Sequence, residues 1–282
     1  MNREPSVWRR PFGVTLAIVT GLAVMLAGQV PWSFLISANL KNPKSPPWAV
    51  PLMALYLAVY WCYLDGRGWP RRGAQKRRSL FRARGLAAAV WLRAMTAGLL
   101  AVAAAVSLQL AFARLIHAPA AKVAGSAFNG YPWATLLLAL LMSGAVAGIA
   151  EEAGFRGCMQ SALERQLGPA AAIAIVSCAF AAIHFSHGAA HTLPRLPFYL
   201  ATSAIYGVLA YRTGSILPGL AIHAGGDALE YLVAWRWSAQ LSAPIPTTSP
   251  GGAFWGHLAI GIFLALLSVW AYRRLYPPPE KL

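Results

Sequence analysis

Apolar runs of roughly 20 residues recur from one end of the chain to the other, and no other feature limits the possible folds as much. A bilayer core about 30 Å thick is crossed by roughly 20 apolar residues in a helix. Only elements that satisfy their own backbone hydrogen bonds survive there. Eight such runs can be drawn, near residues 12–36, 47–64, 86–113, 132–155, 169–186, 196–211, 216–235 and 254–272. Composition agrees: 58% of residues are hydrophobic and 11% charged, against about 25% charged in soluble proteins. The runs leave no room for a separate soluble domain. The expected fold is an all-α membrane protein, a single polytopic domain over 1–282 with about eight transmembrane helices.

The net charge of +16 would suggest nucleic acid in a soluble protein. Here the cations concentrate between apolar runs, where they fix topology and meet anionic headgroups. No nucleic-acid-binding module accompanies them, so the expected partners are membrane lipids and not nucleic acid. With the N-terminus in the cytoplasm and alternating sides, 18 of the 24 Lys and Arg fall on the cytoplasmic side. That asymmetry predicts a multi-pass inner-membrane protein with both termini cytoplasmic. The basic start, Met1 to Arg10, resembles a signal peptide, but the apolar run continues to about Ile36 and reads as a retained first helix. Trp and Tyr near run ends, among them Trp48, Trp133, Trp235, Trp237 and Trp270, suit interfacial belts. Cys62, Cys158 and Cys178 form no CxxC or metal spacing and read as small buried apolar residues.

Ionisable groups within apolar helices are costly, at least ~2.5–3.5 kcal/mol each on insertion scales, and so point to function. The chain has only 8 Asp and Glu. Glu151 and Glu152 stand together at the end of the fourth run, with Arg156 one helical turn beyond Glu152. His184 ends the fifth run, and His223 and Asp227 share one face of the seventh. Each signal has a structural alternative: a helix-end ion pair, a satisfied core histidine, a His–Asp bond that pins two helices. His187 and His191 fall in the loop beyond the fifth run and read as solvated or as binding a stray metal.

Leu167-Gly168-Pro169 is a strong helix-stop turn. Folding the fourth and fifth runs back on each other there levels residues whose numbers sum to about 336, such as Glu152 with His184 and Arg156 with Phe180. His184 then stands ~24 Å from the turn, and His223 ~13 Å from the turn at Gly214. For these groups to meet, the hairpin tip has to project roughly 10 Å beyond the membrane. Gln160, Glu164, Arg165 and Gln166 make that end polar enough to do so.

Glu151-Glu152-x-x-x-Arg156, Phe180-x-x-x-His184 and His223-x-x-x-Asp227, in that order on helices, resemble the CPBP family, which includes the CAAX prenyl protease Rce1 and the Abi proteins. The resemblance covers roughly 130–235, a catalytic core resembling the CPBP/Abi domain with the site in helices 4, 5 and 7. It implies a glutamate-dependent intramembrane endopeptidase, a hydrolase acting on a membrane-anchored peptide or protein. By that similarity Glu151, helped by His184, activates a water. Glu152 is held by Arg156 and positions the site, and His223 with Asp227 stabilises the oxyanion. Asp227 replaces the Asn of the prenyl proteases. An ionised Asp cannot donate to an oxyanion, so it orients His223 or acts in its protonated form. No cofactor is required on this reading. Zinc stays open, since Glu151, His184 and His223 could supply three ligands with water in a fourth position. The competing function is a non-catalytic relative: an immunity factor, a scaffold, or a proton-coupled transporter using the same polar cluster.

Overall fold

A run of 35 residues, Trp133–Leu167, continues as one helix. At 1.5 Å per residue it is roughly 50 Å long, well over the ~30 Å of a bilayer core. The computed structural model describes residues 9–116, 130–236 and 251–275. Arg3, Lys122, Trp237 and Lys281, used above for orientation and belts, lie outside the described residues.

Among the described residues the chain is helical and has no strand. In order, α1 spans Arg9–Asn39, α2 Ala49–Leu64, α3 Ala74–Phe81, α4 Ala88–Leu115 and α5 Trp133–Glu151. A π-helical segment follows at Glu152–Gln160, then α6 at Ser161–Leu167 and α7 at Pro169–Ile183. Short turns of helix over 184–195, including α8 at Ala189–Thr192, lead to α9 at Leu196–Thr213, α10 at Leu217–Arg236 and α11 at Gly252–Arg273. Five helices are long and apolar enough to cross a membrane: α1, α4, the 133–167 helix, α7 with its extension, and α11. The other three predicted runs are also helices. However, α2 has only 16 residues, while α9 and α10 carry Thr202, Ser203, His223, Asp227 and Glu230. The protein is a multi-pass membrane protein.

Small residues let the helices approach closely, as membrane packing requires where lipid is as apolar as the side chains. α1 runs antiparallel to the long helix with Gly13 against Gln166, Gly21 against Met159 and the Gly154 carbonyl, and Gly28 against Ala150. On the other side Gly144 and Gly148 of α5 face Ala228 and Ala224 of α10. A Cβ on Gly148 would stand 2.6–2.9 Å from Ala224 atoms, two of them backbone. Gly148→Ala is therefore expected to push α5 from α10 at a cost of about 1–3 kcal/mol, read as a lowered unfolding midpoint in detergent.

Between the apolar runs at 47–64 and 86–113 the structure forms α3. One guanidinium organises this segment. Arg77 donates to the carbonyls of Tyr63, Gly68, Pro70 and Arg72. The segment is then bolted to the bundle. Ser161 donates to the Leu80 carbonyl, Arg82 pairs with Glu164 at 2.8 Å, and the Ile216 amide donates to the Arg82 carbonyl. This basic segment and the turns at Gly168 and Gly214 therefore share one end of the bundle. Gln160, expected at a solvated tip, is instead fully buried, donating to Glu164 and to the Gly207 carbonyl. Cys178 is exposed on the outside of α7, contrary to the expectation of burial, whereas Cys158 is buried.

Candidate active site

The π-helical segment decides how the acidic pair is presented. All nine of its residues are buried, and π-segments of this kind insert an extra residue into a turn and often sit at functional sites. α5 brings Glu151 to the junction and the wider turn carries Glu152 and Arg156. The two carboxylates take different further partners, Gln29 for Glu151 and Arg156 for Glu152, and meet His223 at its two ring nitrogens.

Glu152 is fully buried. Its Oε1 accepts from Arg156 at 2.9 Å and from His223 Nδ1 at 2.9 Å. Its Oε2 has no protein partner and faces Gly219, where a Cβ would stand 3.3 Å away. Arg156 is equally buried, donates to the Ser203 carbonyl at 3.2 Å, and is caged by the rings of Phe180, Tyr206 and Phe155 at 4.7, 5.2 and 5.8 Å. An ion pair so deep is held because each charge has further partners.

Glu151 is buried and accepts from Gln29 of α1 at 2.6 Å through Oε1. Its Oε2 lies 3.8 Å from His223 Nε2. His223 is stacked on Tyr206 at 5.1 Å between ring centres. Its Nε2 is also 3.7 Å from Asp227 Oδ2, the i,i+4 neighbour on α10. Both gaps exceed a direct hydrogen bond, so Nε2 is committed to neither carboxylate.

His184 stands apart from this cluster. The predicted register holds at Arg156 and Phe180, whose side chains meet. But α7 ends at Ile183, and His184 opens a 3₁₀ turn. Its Nδ1 bonds the Phe180 carbonyl at 2.8 Å and its ring stacks on Tyr199 at 3.8 Å. Because a carbonyl can only accept, Nδ1 carries the proton and Nε2 is the free acceptor. Phe180 lies between the two histidines, 4.9 Å from the His184 ring and 6.1 Å from the His223 ring. Thus Glu151, Glu152, Arg156, His223 and Asp227 form one network, and His184 flanks it. His187 and His191 are exposed.

Among the described residues no three His, Cys, Asp or Glu side chains are arranged to hold a metal ion. Glu151, His184 and His223, named above as a conceivable ligand set, do not converge as one. Sequence reasoning missed Gln29, Tyr199, Tyr206 and Gly219. Only Gln29 left a signal, a carboxamide in an otherwise apolar stretch of α1, with Gly28 beside it.

No curated protein and no solved structure matches the chain. Residues 132–229 match the family model described as type II CAAX prenyl endopeptidase Rce1-like. That family is one of membrane proteases, and the matched stretch holds every group of the network except Gln29. The CPBP resemblance carried by the three motifs thus falls within the stretch, residues 132–229, that is similar to the Rce1-like family.

Proposed function

We propose that the protein is an intramembrane endopeptidase that cleaves a membrane-associated peptide with a water activated at Glu151. The observation that carries this reading is the uncommitted His223 Nε2, buried between Glu151 Oε2 and Asp227 Oδ2 at 3.8 and 3.7 Å. On this reading the attacking water sits beside Nε2, within reach of both carboxylates. Gln29 holds one oxygen of Glu151 and leaves the other to face that position.

In this mechanism the water gives a proton to Glu151 Oε2 as its oxygen attacks the scissile carbonyl carbon. The carbonyl oxygen becomes an oxyanion and accepts from His223 Nε2–H. Nδ1–H donates to Glu152 throughout, so His223 acts as an imidazolium surrounded by the carboxylates of Glu151, Glu152 and Asp227. Glu152, fixed by Arg156, positions the ring. Asp227 orients the Nε2 edge rather than donating to the oxyanion. The C–N bond then breaks and the leaving amine takes the proton held by Glu151, with His184 Nε2 available as a relay at the rim.

No metal enters this cycle. Cleavage is expected to continue at an unchanged rate, within about twofold, after exhaustive chelation, since the nucleophile is generated by a carboxylate alone. Loss of cleavage on chelation and return with zinc would replace this mechanism by the zinc alternative.

The same reading sets eight crossings with both ends cytoplasmic in an inner membrane. It is supported by 18 of 24 cations falling on one side when the runs alternate, and by three of the segments so assigned to that side meeting at one end of the bundle through Arg82, Glu164 and Ile216. The long 133–167 helix then extends past the headgroups on that side. The substrate class is a peptide or protein tethered by its own apolar anchor. The test is a comparison of membrane-protein termini in cells carrying the wild type or His223→Ala. New termini confined to membrane-anchored proteins of the wild type are expected. Identical termini in the two would reject the peptidase.

A further inference from the structure

The segment between α2 and α4 carries a second site, remote in kind from the catalytic one and open to solvent, with Gln75, Arg78 and Arg84 exposed. A cavity of about 480 Å³ is lined by Asp65, Gln75, Arg78, Ser79, Ala83, Arg84 and Gly85. Residues 65–85 hold eight Lys or Arg and one acid, Asp65. That acid is already engaged, accepting from Arg67 at 2.9 Å and Arg78 at 3.5 Å, both through Nε. Arg78 therefore keeps its two terminal nitrogens. The Arg84 side chain has no hydrogen bond or ion pair among the described residues, and its backbone is fixed by Ser215 donating to its carbonyl at 2.7 Å. Gln75 adds a free amide. Two guanidiniums and an amide thus face one cavity whose only carboxylate is neutralised.

Topology anchoring alone asks for cations near a membrane end, not for a shaped cavity. The segment that carries this one is braced from behind. Arg77, next to Arg78, ties four carbonyls of the turn leading into α3. Phe81, fully buried against Trp61, anchors the end of α3. Arg82, next to the lining residue Ala83, latches the segment to Glu164 and to the Arg156 carbonyl. Guanidinium forks match phosphate oxygens in geometry as well as charge. We propose that the cavity between α2 and α4 binds a phosphate-bearing anion through Arg78 and Arg84, whether an anionic phospholipid headgroup or free phosphate. The site is independent of the peptidase reading, although Arg82 of the same segment touches the π-helical segment.

The test uses the full chain in phosphatidylcholine vesicles with or without phosphatidylglycerol, each with and without inorganic phosphate. Bound phospholipid is counted by native mass spectrometry after extraction. Wild type is expected to retain phosphatidylglycerol, and Arg78→Gln/Arg84→Gln to retain it about 30-fold less, at about fivefold per cation. Arg71→Gln/Arg72→Gln removes the same charge outside the cavity and is expected to retain it as the wild type does. Displacement by phosphate assigns the site to free phosphate as well; retention in its presence assigns it to the lipid headgroup. Equal losses in both double variants, or no preference for phosphatidylglycerol over phosphatidylcholine with no response to phosphate, would overturn the site. Melting curves of the variants distinguish loss of the ligand from loss of the fold.

Discussion

Glu151→Gln is expected to lower cleavage at least about 100-fold while the protein stays folded. Glutamine has the same shape, and its amide oxygen can still accept from Gln29 at the position now occupied by Oε1. What is removed is the proton acceptor at Oε2. General-base catalysis by a positioned side chain contributes about 10²–10⁴-fold, so the loss belongs to kcat, while KM holds within about threefold because the peptide is gripped elsewhere. Single-turnover cleavage of an anchored peptide in vesicles measures the step directly, and the melting curve reports the fold. Gln29→Leu provides the graded companion. It leaves the base intact and removes only its orienting donor, so a loss nearer tenfold is expected. Full activity in Glu151→Gln would remove the carboxylate from the chemistry and return the cluster to a structural role.

That Gln29 belongs to the site shows where the sequence stops being readable. The apolar runs are legible because the bilayer imposes a length and a polarity on every helix, and each of the eight runs is occupied by a helix. The polar network is legible because charge inside such helices is costly and needs partners. Glu152 with Arg156, and His223 with Asp227, sit one turn apart on single helices, where local periodicity alone places them together. Gln29 reaches Glu151 from 122 residues away, through α1 packed at Gly21 and Gly28 against the long helix. The carboxamide stands out in its apolar stretch, but nothing local names its partner. The π-helical turn is hidden for a related reason. Its extra residue is stabilised by complete burial against α1 and the neighbouring helices, not by the propensity of the residues within it. His184 shows a third limit. The hairpin register is sound as far as Phe180, but extrapolating it assumes α7 continues, whereas the helix ends at Ile183 and the ring swings onto Tyr199. Likewise the basic stretch at 74–81 lacks an apolar face strong enough to announce α3. Its order comes from Arg77 gathering carbonyls of the preceding turn.

Arg156→Met tests how far the acidic pair depends on its counter-charge. Removing one partner of a buried ion pair costs about 3–5 kcal/mol, because the other charge is left uncompensated. Here the penalty is expected at the upper end. Glu152 Oε2 already lacks a protein partner, and Oε1 would keep only His223. Methionine fits the cage of Phe155, Phe180 and Tyr206, so lost charge rather than lost volume dominates the effect, and the unfolding midpoint in detergent should fall steeply. Glu152→Leu/Arg156→Met removes both charges together. Apolar replacement of a buried pair is often neutral or stabilising, so most of the stability should return. Cleavage should not return with it, because His223 Nδ1 then has no acceptor and the ring loses the orientation that aims Nε2 between Glu151 and Asp227. Stability and activity would thus separate in one double variant. If cleavage recovered along with the fold, the ion pair would be a packing device only, and the positioning of His223 would have to come from Asp227 and the stacking on Tyr206 alone.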